Sequence, residues 1–391
     1  MRPNILMVHN YYQIGGGEHT VFEQEAELLR RHGHPVTAYT RHNDELKGSS
    51  VKKALLPFQT LFSLKTYREV RRLIRRERID VVHCHNTFPL ISPSVYYAAR
   101  REGVPVVQAI HNFRLICANA LLFRDGHVCE ECLSGSFRPA MSHACYRGSR
   151  LQTAVVVAML KLHRLLGTYR RTGYIFLTPF NREKYRALLP EGTPHIYIKP
   201  NFEEIHAQPA PEREIDPFKV IYVGRLEENK GIRCLLEYWK QVPEAYRLHL
   251  YGTGPLEGLV REQAEKDPRI RPMGFRPQEE IFADWRTACA QVFPSISYEG
   301  FPMTLIESLA LAVPVLTCDR GNQAAIIEEG VTGYRYAPED AREFAEKLEK
   351  IRRENPRLKQ NCREHYERNY TSEKNYALLM DIYRRLGACG K

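Results

Sequence analysis

The first half of the chain alternates short apolar runs with segments of helical period. Residues 5–9 form a run of strand length, and Gly15, Gly16 and Gly17 follow it. Over residues 18–32 the apolar positions Val21, Phe22, Ala26, Leu28 and Leu29 recur at helical spacing, and Gly33 stands where a helix ends. Residues 36–39, 80–84 and 104–110 read as further strands, and residues 67–78 and 92–101 as helices. Strand and helix in turn predict a parallel sheet covered by helices.

After Asn201 comes a polar stretch with Pro209, Pro211 and Pro217, which reads as a linker. The alternation then restarts. Residues 220–223, 247–251, 290–293 and 315–317 read as strands, and residues 232–239, 304–312, 341–353 and 376–386 as helices. The expectation is an α/β chain of two doubly wound, Rossmann-like domains, residues 1–200 and 201–371. Ligands of such sheets bind beyond the carboxyl ends of the strands, so a cleft between the domains is the expected site.

Of the 391 residues 43% are hydrophobic and 26% charged, a globular balance that excludes a disordered chain. The longest apolar run, residues 154–160, stops at Lys161, too short to span a bilayer. Residues 2–9 look like a strand rather than a signal peptide, so a cytoplasmic location is expected. The net charge of +11 is uneven: residues 1–200 hold 29 Lys and Arg against 15 Asp and Glu, and the remainder 28 against 31. A basic half wants an anionic surface, nucleic acid or acidic lipid. Residues 67–78 carry six arginines, and residues 151–171 combine an apolar face with Lys161, Arg164, Arg170 and Arg171. Both fit an interfacial helix on the inner face of a membrane, and both also fit a solvated or a core helix. Tyr67 is the one aromatic residue interleaved with the arginines, so nucleic acid is not expected as a partner.

Three segments carry candidate chemistry. Gly16 and Gly17 open the first helix, whose free N–H groups suit an anion; a tight turn has the same look. Gly224 and Arg225 follow a strand, with Lys230 five residues on. Two cations there suit a diphosphate, or are solvated surface charges. In the third, Glu299 and Gly300 lie in a loop, Phe301 and Pro302 lead into a helix containing Thr304 and Leu305, and Glu307 falls one turn in. The two carboxylates fit two parts of one ligand, or are exposed glutamates on a capped helix.

Together these segments resemble the retaining glycosyltransferases of family 4, with the GT-B architecture, over nearly the whole chain. The resemblance implies that Glu299 and the backbone amides following it meet the donor hexose, that Glu307 meets the ribose, and that Gly300, Phe301, Pro302, Thr304 and Leu305 belong to the donor-binding segment. It implies Arg225, Lys230 and Gly224 at the diphosphate, with Gly16 and Gly17 completing that pocket. His111, after the strand ending at Ile110, takes the histidine position near the sugar carbon, and His85 with Asn86 the acceptor side. The implied donor is a UDP- or GDP-sugar. The acceptor is a hydroxyl, lipid-linked or on a polysaccharide intermediate. No metal is required for catalysis, and residues 372–391 are expected to pack back on the first domain. A sugar-nucleotide epimerase is the competing enzyme.

Residues 113–150 read as an insert holding Cys117, Cys129, Cys132 and Cys145, around one C-x₂-C pair. Four thiolates fit a structural zinc; free thiols are the alternative.

Overall fold

The computed structural model describes residues 2–13, 15–205 and 214–388. They divide into two compact units: one drawn from Met1–Leu122, Glu130–Asn201 and Asn375–Lys391, the other from Phe123–Cys129 and Phe202–Lys374.

The first unit opens with β1 (Ile5–Tyr11), α1 (Gly17–Arg31), β2 (Val36–His42), α2 (Ser50–Leu61), α3 (Leu64–Arg76), β3 (Val81–Asn86), α4 (Ser94–Arg101) and β4 (Val106–Ile110). A two-stranded hairpin follows, β5 (Phe123–Arg124) with β6 (His127–Val128), and belongs to the second unit. The first unit resumes with α5 (Arg138–Ser142), α6 (Arg150–Leu165), β7 (Gly173–Phe176), α7 (Pro179–Lys184) and β8 (Ile196–Ile198). Its sheet is parallel, in the order β2-β1-β3-β4-β7-β8. Ile5, Leu6, Met7 and Val8 are all fully buried. That is why β1 is a continuous apolar run: helices cover both faces of the sheet. In α3 the residues Thr66, Val70 and Ile74 form the buried stripe, and Ser63 caps it by accepting from the Thr66 N–H.

The second unit contains β9 (Asp216–Val223), α8 (Ile232–Trp239), β10 (Arg247–Tyr251), α9 (Glu257–Lys266), β11 (Ile270–Gly274), α10 (Gln278–Trp285), β12 (Ala288–Phe293), α11 (Met303–Ala310), β13 (Val315–Cys318), α12 (Gly321–Ile326), β14 (Gly333–Tyr336) and α13 (Ala341–Asn369). Its parallel sheet runs β11-β10-β9-β12-β13-β14. Trp239, Tyr246, Leu248 and Phe344 lie in its core. Fully burying one such apolar side chain contributes about 1.5–3 kcal/mol. Finally α14 (Ser372–Arg385) places Leu379, Ile382 and Tyr383 against Ile5, Met7 and Phe22 in the first unit's core.

Two expectations need correction. Pro217 lies inside β9, not in a linker; the pairing with β12 shifts register between Ala288 and Ala290, and that irregularity accommodates a residue with no N–H. Pro209 and Pro211 lie outside the described residues. The helix expected over residues 341–353 continues through Pro356 to Asn369, because Leu358, Cys362 and Tyr366 extend its buried face and packing outweighs the proline.

Candidate functional site

In each sheet the strand order reverses at one place, between β1 and β3 and between β9 and β12. Loops leaving the carboxyl ends of strands at such a point diverge and leave room for a ligand. In the second unit they are the loops that carry Arg225 and Lys230, after β9, and Glu299, after β12.

These two loops touch through backbone. Gly231 has φ +73°, and a Cβ there would lie 1.9 Å from the Pro294 carbonyl oxygen, so only glycine fits. The Ile296 N–H donates to the Asn229 carbonyl at 3.1 Å, and Ser295 Oγ lies 3.1 Å from the same oxygen. Lys230 Nζ thereby reaches both Glu299 carboxylate oxygens, at 2.9 Å each, and Ser295 Oγ donates to Oε1 at 2.5 Å. The carbonyls of the Glu299 loop are held from α12: Asn322 Nδ2 donates to those of Glu299 and Gly300, and Gln323 Nε2 to those of Ser295 and Ser297. Gly231→Ala is expected to lower unfolding free energy by at least about 1–3 kcal/mol in urea denaturation, since a strained φ and a backbone overlap act together.

Helix α11 follows directly. Its cap residue is Pro302 and no side chain caps it, so its first-turn N–H groups suit an anion. Leu305 is fully buried and Phe301, partly buried, packs beside Tyr370 with ring centroids 6.3 Å apart, so these side chains anchor the loop. Glu307 is half-buried, and burial first, then Glu203, raises its carboxyl to about 8. Arg225 is 58% exposed and pairs with Glu227. The second unit therefore gathers Lys230, Glu299, Gly300 and the α11 terminus into one constellation. Ser295, Asn322 and Gln323 support it; their roles had no signal in local spacing.

In the first unit Gly16 is the extended cap residue of α1. A Cβ at Gly16 would meet nothing within 4 Å, so the fold itself does not require glycine there. Close approach of a ligand would.

His111 lies at the β4 end, its Nε2 3.0 Å from His85 Nδ1. Burial, then His85, holds its pKa well below the usual imidazole range, so it is neutral. His85 Nε2 lies 3.5 Å from the buried Glu25 carboxylate, and His83 Nδ1 3.2 Å. Lys199 Nζ reaches Glu25 at 2.8 Å and Asn375 Oδ1 at 3.1 Å, and Tyr383 OH lies 2.8 Å from His83 Nδ1. Sequence reasoning missed Glu25 and Lys199, which lie far apart in the chain.

His85 and Asn86, expected on the acceptor side, close the end of β3. Both His85 nitrogens face protein groups, and Asn86 donates to the Asn10 carbonyl and accepts from the Phe88 N–H. The space they line is about 30 Å³, room for one water. A cavity of about 530 Å³ lies elsewhere in this unit, between α2 and α6, with Leu56, Pro57, Phe88, Leu151 and Val155 as apolar walls and Lys53 and Arg147 among its cations.

Of the four cysteines of the insert, Cys117 donates to Asn119 Oδ1 at 2.9 Å. Among the described residues two trios of potential metal ligands have atoms within 4.8 Å of one another, and neither contains a cysteine.

Two family profiles match: "Glycosyl transferase 4-like domain" over residues 16–179 and "Glycosyl transferases group 1" over residues 217–354. The lipopolysaccharide 1,6-galactosyltransferase of Escherichia coli K12 is 31% identical over 209 residues, 50% of this chain and 57% of that protein. The amylovoran biosynthesis glycosyltransferase AmsK of Erwinia amylovora is 28% identical over 140 residues, 33% of this chain and 34% of its own length. The matches thus span about a third to just over half of these relatives. Among solved structures, Anabaena HepE in complex with UDP and glucose aligns with a TM-score of 0.63 at 15% identity, covering 98% of this chain and 100% of that one, a likeness of fold.

Proposed function

Because this chain belongs to the group 1 glycosyl transferases, with the GT-B fold, we propose that it moves a hexosyl or N-acetylhexosaminyl group from a UDP- or GDP-sugar to a hydroxyl acceptor, with retention. One observation carries this reading: the Lys230–Glu299 pair at the reversal of the second sheet, followed in the chain by the uncapped start of α11. Lys230, Arg225 and the helix terminus bind the diphosphate, Glu299 accepts from sugar hydroxyls, and Glu307 accepts from the ribose. The bond from the sugar carbon to the diphosphate breaks. The acceptor oxygen then bonds that carbon on the same face, and its proton passes to the leaving diphosphate. The protein supplies alignment and charge stabilisation at the phosphates.

The acceptor in this reading is lipid-linked, on the route to a surface polysaccharide. Support comes from the 530 Å³ cavity, whose apolar walls suit a hydrocarbon chain and whose cations suit a phosphate beside it. Phe58, Leu151 and Leu165 are 74%, 77% and 86% exposed on α2 and α6, which suits attachment to the inner membrane face. No helix among the described residues is long and apolar enough to cross a membrane.

A thermal-shift screen of nucleoside diphosphates and their sugars tests the donor. A ligand at a hundred times its Kd stabilises by about 2.7 kcal/mol, and no shift with any of them at millimolar levels refutes the reading. Turnover of the donor without any acceptor would favour an epimerase instead.

Glu307 adds a pH test. Its carboxyl is raised, so the protonated form prevails at neutrality and the ionised form costs stability as pH rises from 4.5 towards 8. Ribose hydroxyls bind the ionised form better. Nucleotide affinity should therefore rise with pH up to about 8, by at most about tenfold per unit. Isothermal titration of wild type against Glu307→Gln, which removes the titrating group, reads this directly.

A further inference from the structure

We propose that His9, Glu18 and His19 bind a divalent transition-metal ion of the zinc class at the start of α1. One ligating atom from each lies within 4.8 Å of the other two. His9 is fully buried, and neither of its ring nitrogens has a hydrogen-bond partner. Glu18 Oε1 is likewise buried and unpartnered, while Oε2 accepts from Asn112 Nδ2 at 3.1 Å. Buried polar atoms are almost always satisfied, so orphans on two of the three side chains of this cluster point to a missing partner. Two imidazoles and one carboxylate make a donor set suited to zinc and its neighbours.

A second trio of the same composition provides a contrast. Glu25, His83 and His85 already hold a cation, because Lys199 Nζ sits 2.8 Å from Glu25. Glu18 has no such partner. The guanidinium that acts on it at longer range, Arg114, donates instead to the Ala118 carbonyl and lies over the rings of Phe88 and Tyr146. One existing contact competes: the Tyr12 N–H donates to His19 Nε2 at 3.1 Å, and ligation through that nitrogen would replace it. Tyr12 is half-buried, so water can take over its N–H. The ion would tie the end of β1 to the first turn of α1 across the loop that carries Gly16. It needs no donor sugar, so it stands or falls apart from the transferase reading.

The test uses full-length protein stripped with EDTA and titrated with Co²⁺, whose absorption distinguishes nitrogen and oxygen ligation from thiolate ligation. Wild type is expected to bind one equivalent with a nitrogen/oxygen spectrum, to melt at a higher temperature when loaded, and to release Co²⁺ to Zn²⁺. His19→Ala and Glu18→Gln, both at partly exposed positions, should each weaken that equivalent by more than about tenfold. The double variant Cys129→Ser, Cys132→Ser should keep it. Unchanged binding in His19→Ala and Glu18→Gln, a spectrum of thiolate ligation alone, or loss of the equivalent in the cysteine variant would each overturn the assignment.

Discussion

Lys199→Met is expected to destabilise the protein by about 3–5 kcal/mol, seen as a lower urea midpoint at pH 7. Lys199 and Glu25 side chains are each 2% exposed, and Lys199 Nζ bonds Glu25 and Asn375. Removing the ammonium leaves a buried carboxylate whose remaining neighbours, His83 and His85, are imidazoles. The double variant Glu25→Gln, Lys199→Met should recover a large part of the loss, because it removes both charges. A loss below about 1 kcal/mol in the single variant would mean that the pair is far better solvated than its burial indicates.

The same network makes the fold acid-labile, and the sign follows from its titrations. Burial alone would raise the Glu25 carboxyl, but Lys199, His83 and His85 outweigh it and hold it well below the usual carboxylate range. Burial lowers His83 to about 3 against the opposing pull of Glu25, and it also lowers His111. In each case the unfolded chain binds protons first. The network's contribution to stability is therefore full above about pH 6.5, falls as the unfolded imidazoles protonate, and falls further below about 4.5 as the unfolded carboxyl does. The difference in melting temperature between wild type and His83→Phe, followed against pH, should show this, because the opposing Glu307 contribution is common to both.

Lys230→Ala and Glu299→Ala are each expected to lower transferase turnover by about 10²–10³-fold while the protein stays folded. Their ion pair is 26% and 12% exposed, so either partner left alone can be hydrated and the stability change should stay within about 1 kcal/mol. Far-ultraviolet circular dichroism and urea midpoints check the fold; initial rates with donor and acceptor check the chemistry. If Lys230 served only to hold Glu299 in place, the double variant would be no slower than either single variant. If Lys230 also contacts the diphosphate, the double variant is slower than both. Full activity in both single variants would remove these residues from the catalytic mechanism.

Much of the local structure was legible in the chain. Ile232–Trp239 and Arg247–Tyr251 match the expected bounds, because strong apolar periods set both segments. The Glu299, Pro302 and Glu307 spacing placed one carboxylate in a loop and the other in the helix behind it, as observed. Short strands escaped notice: Gly173–Phe176 and Ile196–Ile198 are too brief to show a period and exist because a neighbouring strand edge accepts them. The helix through Pro356 escaped because a breaker residue was outweighed by the buried face on either side of it.

Residue order by itself determined the alternation of strand and helix, the glycine-marked ends of elements, and the family to which the motifs point, since each depends on neighbours a few positions away. Only the tertiary structure decided that β9 adjoins β12, that Lys230 meets Glu299, that Lys199 neutralises Glu25, and that His9 is buried without a partner. Those facts depend on which strands pair and on how deeply the pairing buries a charge. Such energies arise between residues tens to hundreds of positions apart, where periodicity along the chain carries no information.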